Sequence, residues 1–136
     1  VVGSAACGAD LLVVESARRV GVRCRIVLPF GRAAFRLSSV VDRPGDWGAR
    51  FDVAIANAAD TDDLVELDAS PGDTDAYRRA NDEMIRQAVS MATGSSDQVA
   101  LLVAWNGASH GDDDVTAALF AEAHRRGWRV AVIDTA

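Results

Sequence analysis

The chain has 136 residues, 49% of them apolar and 25% charged, an ordinary mixture for one globular domain that excludes a disordered tail, a collagen-like repeat and a coiled coil. Its formal charge is −6 and its pI about 4.7, so its surface repels a phosphate backbone and nucleic acid is not an expected partner. All 14 basic residues are arginine, which excludes lysine Schiff-base chemistry and a lysine-based phosphate loop.

In chain order, glycine and proline separate short β-rich runs from longer stretches of helical period, the pattern of an α/β domain with a mostly parallel sheet. Val1–Gly3 reads as a strand end, followed by the turn Ser4-Ala5-Ala6-Cys7-Gly8 and a helix that Gly21 stops. In that helix Ala9, Leu12, Val13, Ser16, Ala17 and Val20 fall on one face, expected to pack on the sheet. Val22–Leu28 is the next strand, ended by Pro29, and a loop with a short helical turn runs through Phe35, Arg36 and Ser38. Pro44-Gly45-Asp46 reads as a turn with an N-cap, before a helix whose Trp47, Phe51, Ala54, Ile55 and Ala58 share a face. Leu64–Leu67, flanked by acids, is an edge strand.

Asp73 or Thr74 caps the longest helix, with Tyr77, Ala80, Asn81, Met84, Ile85 and Ala88 along one stripe, and Gly94-Ser95-Ser96 breaks it. Gln98–Trp105 is the most hydrophobic strand and is expected to be central and buried on both faces. A polar loop, Asn106–Asp113, leads to a helix over Asp114–Arg126 that turns Val115, Ala118, Leu119 and Ala123 inward and ends at Gly127. Arg129–Ile133 closes the sheet.

Ligands in open α/β sheets bind beyond the carboxyl ends of the strands, where helix N-termini converge. Four junctions qualify: Gly3–Asp10, Leu28–Arg36, Trp105–Thr116 and the C-terminal Asp134. At the first, the small residues Gly3, Ser4, Ala5 and Gly8 let a ligand approach the backbone, and free N–H groups attract anions. The alternative is a plain tight turn, with Asp10 only complementing the helix dipole. As a ligand group, Asp10 repels phosphate and accepts ribose hydroxyls. At the third, Asn106 and Gly107 end the strand and Thr116 stands in the first helical turn, where its hydroxyl and N–H suit a phosphate; Asp113 or Asp114 serves equally as a simple N-cap. His110 lies in the same loop and reads as solvated. The run Asp112–Asp114 suggests a metal site but reads as solvated surface, so no metal and no cofactor is expected. Cys7 and Cys24 have no nearby histidine pair and fit neither zinc-ribbon spacing nor a disulfide framework; both are expected to be reduced, in a cytoplasmic protein, and Cys7 to serve packing. No apolar run approaches the ~18–20 residues of a membrane span, and no signal peptide stands at the start. The residues alone indicate a binding site without an assembled catalytic one.

Three blocks carry a family resemblance: Gly3-Ser4-Ala5-Ala6-Cys7-Gly8-Ala9-Asp10 with its helix, Val27-Leu28-Pro29-Phe30 with Phe35, Arg36 and Ser38 beyond it, and Leu101-Leu102-Val103-Ala104-Trp105-Asn106-Gly107. In this order they resemble the SLOG superfamily, Rossmann-like domains related to the DNA-processing Smf proteins and the lonely-guy phosphoribohydrolases. The resemblance implies a three-layer Rossmann-like domain over 1–136 and a pocket for a nucleotide or nucleotide derivative. Phosphate would sit at the Gly/Thr helix start, with Asn106, Gly107, Asp114 and Thr116, and adenine or ribose near Gly3, Ser4, Ala5, Gly8 and Asp10, flanked by Pro29 and Arg36. Arg36 beside Thr116 would mark a surviving phosphate site, whereas an outward Arg36 would favour a scaffold.

The resemblance is nearest to the fused-sensor branch, non-catalytic modules for ADP-ribose-like or cyclic nucleotide signals that sit beside effector domains. The enzymatic branch carries a glycine-rich segment and a glutamate; here Asp113-Asp114-Val115-Thr116 replaces the glycines, and Ala118 or Leu119 stands where the acid would be, which argues against hydrolysis. The family also begins with a strand and a Gly-His-Arg-type loop not found ahead of Val1, so the chain reads as a fragment of a longer protein, lacking its first strand. The expected function is a nucleotide-ligand sensor module, with a fused or associated effector and a homo-oligomer as partners and no membrane. The alternatives are an N-glycosidic hydrolase or transferase using Asp10 or Asp112–Asp114, and a self-association scaffold presenting LVEL and Trp128.

Overall fold

The computed structural model describes residues 1–92, 99–108, 111 and 114–135. The fold is α/β, with the order β1 Val2–Gly3, α1 Ala9–Arg19, β2 Arg25–Leu28, α2 Arg32–Ser39, α3 Trp47–Asp60, β3 Leu64–Glu66, α4 Ala76–Met91, β4 Ala100–Ala104, α5 Val115–Arg125 and β5 Arg129–Ile133. Every strand pairing among the described residues is parallel. No helix among them is long and apolar enough to cross a membrane. The chain forms two compact units, Val1–Met84 and Ile85–Ala136.

In Val1–Met84 the strands lie in the order β1-β2-β3, with Gly3 opposite Ile26 and Ile26 opposite Leu64. Right-handed crossovers that step in one direction across a parallel sheet place their helices on one face, and α1 and α3 accordingly meet, with Arg50 of α3 reaching Glu15 of α1 at 3.4 Å. The core joins Leu11 and Val14 of α1, Ile26 and Leu28 of β2, and the aromatic rings of Phe35 and Phe51, which stack at 6.0 Å. On α3 the buried residues are Gly48, Phe51, Ala54, Ile55 and Ala58, close to the stripe the sequence predicts.

Several local expectations are corrected. The buried residues of α1 are Leu11, Val14 and Ala17, while Leu12 and Val20 are exposed; the helix is apolar around most of its girth, so periodicity alone could not select the face. Strand β2 starts at Arg25, because the Val22 N–H bonds Ala17 O at 2.9 Å and makes Val22 part of the helix exit. The predicted short helical turn is the eight-residue helix α2, anchored by buried Phe35. Asp46 takes the N-cap position of α3 but makes no side-chain cap bond, since its carboxylate pairs with Arg50 at 3.1 Å. Asp73 forms a turn ahead of α4, its Oδ1 accepting the Asp75 N–H at 2.9 Å, and Tyr77 is 40% exposed where the stripe put it inward. Strand β3 holds the edge position its acidic flanks suggest.

In Ile85–Ala136, β4 pairs with β5 in register from Ala100↔Arg129 to Ala104↔Ile133. Helix α5 buries Ala123, whereas Ala118, predicted to face inward, is exposed. Trp105 closes the end of β4 against Phe120, with ring centroids 5.1 Å apart. The expectation that β4 is central and buried on both faces does not hold among the described residues: β5 is its one strand neighbour, and Leu102 is 50% exposed. A parallel strand is buried on both faces only when layers cover both. The predicted break at Gly94-Ser95-Ser96 and the strand start at Gln98 lie outside the described residues.

One buried acid ties β2 to β3. The Asp63 carboxylate, 3% exposed, accepts from Arg23 Nε and Nη2, both at 2.8 Å, and from Arg25 Nε at 3.0 Å. The Arg23 hydrogen bond, followed by that of Arg25, holds its carboxyl below the ordinary range of an aspartate. Removing the acid takes away the charged hydrogen bonds of Arg23 and Arg25 to it, so Asp63→Ala is expected to cost about 2–3 kcal/mol in urea denaturation. Because the folded state depresses this carboxyl, its contribution is present above the unfolded value near 4 and disappears as pH falls below it. Asp63→Asn should therefore lose less stability than the parent on acidification through about pH 4.

Candidate functional site

The carboxyl ends of β1, β2 and β3 converge on the Ser4–Gly8 loop, the start of α2 and Glu66. The loop after β1 turns at Gly8, whose φ of 91° belongs to the left-handed region that a side chain disfavours. Its geometry is fixed from two directions: the Cys7 N–H donates to Ser39 O at 2.9 Å, and the Ala6 N–H donates to Asp10 Oδ2 at 3.2 Å. Asp10 thus folds back from the first turn of α1 over the loop that precedes it. Burial pushes its carboxyl above the ordinary value, opposed by the Ala6 bond. Asp10 Oδ1 accepts no hydrogen bond from the described residues, and no buried side-chain oxygen or nitrogen among them lacks a partner. Oδ1 is therefore not fully enclosed and retains acceptor capacity.

Not every residue expected here reaches a ligand. Ala5 is wholly buried and part of the core, and Pro29 is likewise fully buried; both shape the floor of the junction from beneath. Gly3, Ser4, Gly8 and Asp10 remain half-buried at its surface. Arg36 turns to α3 and forms a two-pronged pair with Asp52, at 2.8 and 3.0 Å. Gly48 makes room for it, since a Cβ there would stand 2.6 Å from Arg36 Nη2. Arg36 is therefore engaged in holding α2 to α3 and is not a free cation for phosphate.

The residues that sequence reasoning missed are Arg32 and Glu66. Glu66 ends β3, and its Oε1 accepts the Arg32 N–H at 2.6 Å while its Oε2 accepts from Arg32 Nη2 at 2.7 Å. The Arg32 hydrogen bond, outweighing partial burial, holds the Glu66 carboxyl below its usual range. Glu66 lies inside the Leu64–Leu67 run, which the sequence marks only as an edge strand, and no local signal ties it to Arg32.

In the second unit, Asn106 Oδ1 accepts the Ala108 N–H at 3.0 Å and Gly107 has a φ of 77°, so both residues build a turn after β4. Asp114 is the N-cap of α5, its Oδ1 accepting from the Thr116 and Ala117 N–H groups, each at 3.0 Å. The Thr116 N–H is thus already bonded to a carboxylate of the chain, which leaves only its hydroxyl for the phosphate contact expected of this residue. His110, Asp112 and Asp113 lie outside the described residues. Among the described residues no cluster of acids, histidines or cysteines has metal-binding geometry, and Cys7 and Cys24 are free thiols.

Comparison with models of protein families, with curated proteins and with solved structures gives no match to this chain.

Two substitutions check these assignments. Asp114→Ala removes the cap of α5 and should cost about 1 kcal/mol, seen as a lower denaturation midpoint, with Asp114→Asn retaining most of it. Asp10 behaves in the opposite sense to Asp63. Its folded carboxyl lies above the reference 3.8, so its contribution is complete below that value and is lost as pH rises through the raised one. Asp10→Asn should accordingly gain stability relative to the parent as pH rises above about 4, measured by urea denaturation across a pH series.

Proposed function

We propose that Val1–Met84 binds a nucleotide-derived ligand through its ribose, at the junction formed by Gly3, Ser4, Gly8 and Asp10. The observation that carries this reading is the Asp10 carboxylate: it sits beyond the carboxyl end of β1, is fixed on one oxygen by a main-chain N–H, and has no hydrogen-bond partner for the other oxygen among the described residues. A fixed carboxylate with free lone pairs matches the two adjacent hydroxyl donors of a ribose. The half-buried glycines and Ser4 beside it allow close approach of a flat or bulky group. Phosphates of such a ligand would lie away from Asp10, whose charge opposes them. The reading accords with the sequence resemblance to nucleotide-sensing modules, and it makes the unit a receptor for ADP-ribose-like or cyclic nucleotide signals.

A second reading draws on the same carboxyl. Its raised protonation range suits a general acid, as N-glycosidic hydrolysis of a nucleoside monophosphate would require. The two readings separate on one observable, the release of free base.

Thermal shift with ADP-ribose, cyclic ADP-ribose and cyclic oligonucleotides tests the sensor reading. A ligand at 100 times its Kd should stabilise the protein by about 2.7 kcal/mol. Asp10→Asn should remove most of that gain while leaving the unliganded protein folded. An absence of shift across the panel, or a shift unchanged in Asp10→Asn, overturns the assignment. Base release from nucleoside monophosphates that disappears in Asp10→Asn would replace binding by catalysis.

A further inference from the structure

A cavity of about 460 Å³ opens between α1 and α3 at the amino ends of β2 and β3, the end of the sheet opposite Asp10. Its volume falls in the range of small-molecule sites, about 300–1,000 Å³. Val14, Ile26, Ala54 and Ala58 supply apolar wall. Arg18, Arg23 and Asp63 supply its charges, two positive against one negative, in a chain whose overall charge is −6.

The positive charge is available. Asp63 is already satisfied by Arg23 and Arg25, so its anion is not free to neutralise a third guanidinium. Arg18, exposed in the last turn of α1, makes no ion pair or hydrogen bond through its side chain with the described residues. Cys24, also in the lining, adds no negative charge: its thiol is directed at Val14 O at 3.8 Å and Val22 O at 3.4 Å, and burial pushes its ionisation up. Asn57 donates Nδ2 to Val53 O at 2.7 Å, and the Thr61 hydroxyl lies 3.0 Å from Asn57 O, so both serve the end of α3.

We propose that this cavity is a second ligand site, distinct from the Asp10 junction, that takes a small apolar monoanion, its carboxylate toward Arg18 and its hydrocarbon body against Val14, Ile26, Ala54 and Ala58. Burial of the hydrocarbon supplies affinity, and the guanidinium, a planar donor for carboxylates, supplies the preference for an anion.

Methyl NMR of the full chain with phenylacetate, phenylacetamide and phenethylammonium as probes tests the site. Phenylacetate should shift the methyl signals of Val14, Ile26, Ala54 and Ala58 saturably, with a Kd of about 1 mM, reasonable for a ligand of this size. Phenylacetamide should bind about tenfold more weakly, a single charge-assisted contact being lost, and phenethylammonium more weakly still. Arg18→Gln should bring phenylacetate to the level of the amide without altering the unliganded spectrum, whereas Arg19→Gln, one position along the same helix, should not. Shifts confined to other methyls, no shift up to about 10 mM, equal affinity for the three probes, or full phenylacetate affinity in Arg18→Gln would each overturn the proposal.

Discussion

The first unit depends on the burial of one carboxylate between two guanidiniums. Strand β2 is the only strand of the Val1–Met84 sheet with a neighbour on each side, so its alignment with β3 determines where every later element of that unit begins. Asp63 enforces the alignment twice. Its carbonyl accepts the Ile26 N–H at 2.8 Å, and its side chain holds Arg23 and Arg25 at the entry to β2. An unpaired carboxylate at that depth would cost several kcal/mol. Two arginines offset the cost and make the contact geometrically demanding, since a slip of one residue would turn Arg25 to the other side of the sheet.

The carboxyl ends of the strands follow a related rule with a different consequence. Asp10 accepts an N–H of the loop before α1, Glu66 accepts the first N–H of α2, and Asp114 accepts two N–H groups of α5. These are positions at which many α/β proteins present open N–H groups to phosphate; here the chain fills them with its own anions. Glu66 and Asp114 are thereby spent on structure. Asp10 differs because its contact with Ala6 uses one oxygen only, while its partly buried setting favours the protonated form. A carboxylate at this junction opposes a phosphate placed beside it.

How much of this could be read from the sequence varied with the number of competing solutions. The α/β class, the parallel strands and the buried stripe of α3 were legible because apolar residues in α3 fit one helical face. Helix α1, with Leu11, Leu12, Val13 and Val14 in succession, fits several faces, and its phase is set by the Gly8 turn and by packing against β2. Strand β4 illustrates a different failure: a continuous apolar run reports capacity for burial, not the presence of covering layers. The Gly8 turn and the place of Asp10 in the first turn of α1 were legible from the strand-to-helix junction, and the Asp114 cap from its position ahead of α5. Ala5 and Pro29 were misread because small or kinked residues near a loop can face either side of it. The Arg32–Glu66 and Arg23–Asp63 pairs join residues distant in sequence, and no local pattern announces them.

Those pairs use arginine in one consistent way. Arg23, Arg32 and Arg36 each meet a carboxylate through two nitrogens, with Asp63, Glu66 and Asp52 as partners. A guanidinium matches a carboxylate along two parallel bonds, whereas an ammonium offers a single point charge on a longer, looser stem. Arg32–Glu66 and Arg36–Asp52 join two elements and Arg23–Asp63 joins the entries to β2 and β3, so the fork fixes orientation between elements as well as neutralising charge. Arg23 and Arg32 meet acids that stand at the two ends of β3, and Arg36 joins α2 to α3. An acidic chain that uses carboxylates to terminate strands and start helices needs cations able to hold those carboxylates in one geometry. Arginine meets that need at these three positions and lysine does not. Arg18 stands outside this pattern: it matches no carboxylate among the described residues, and its fork is left for an anion from solution.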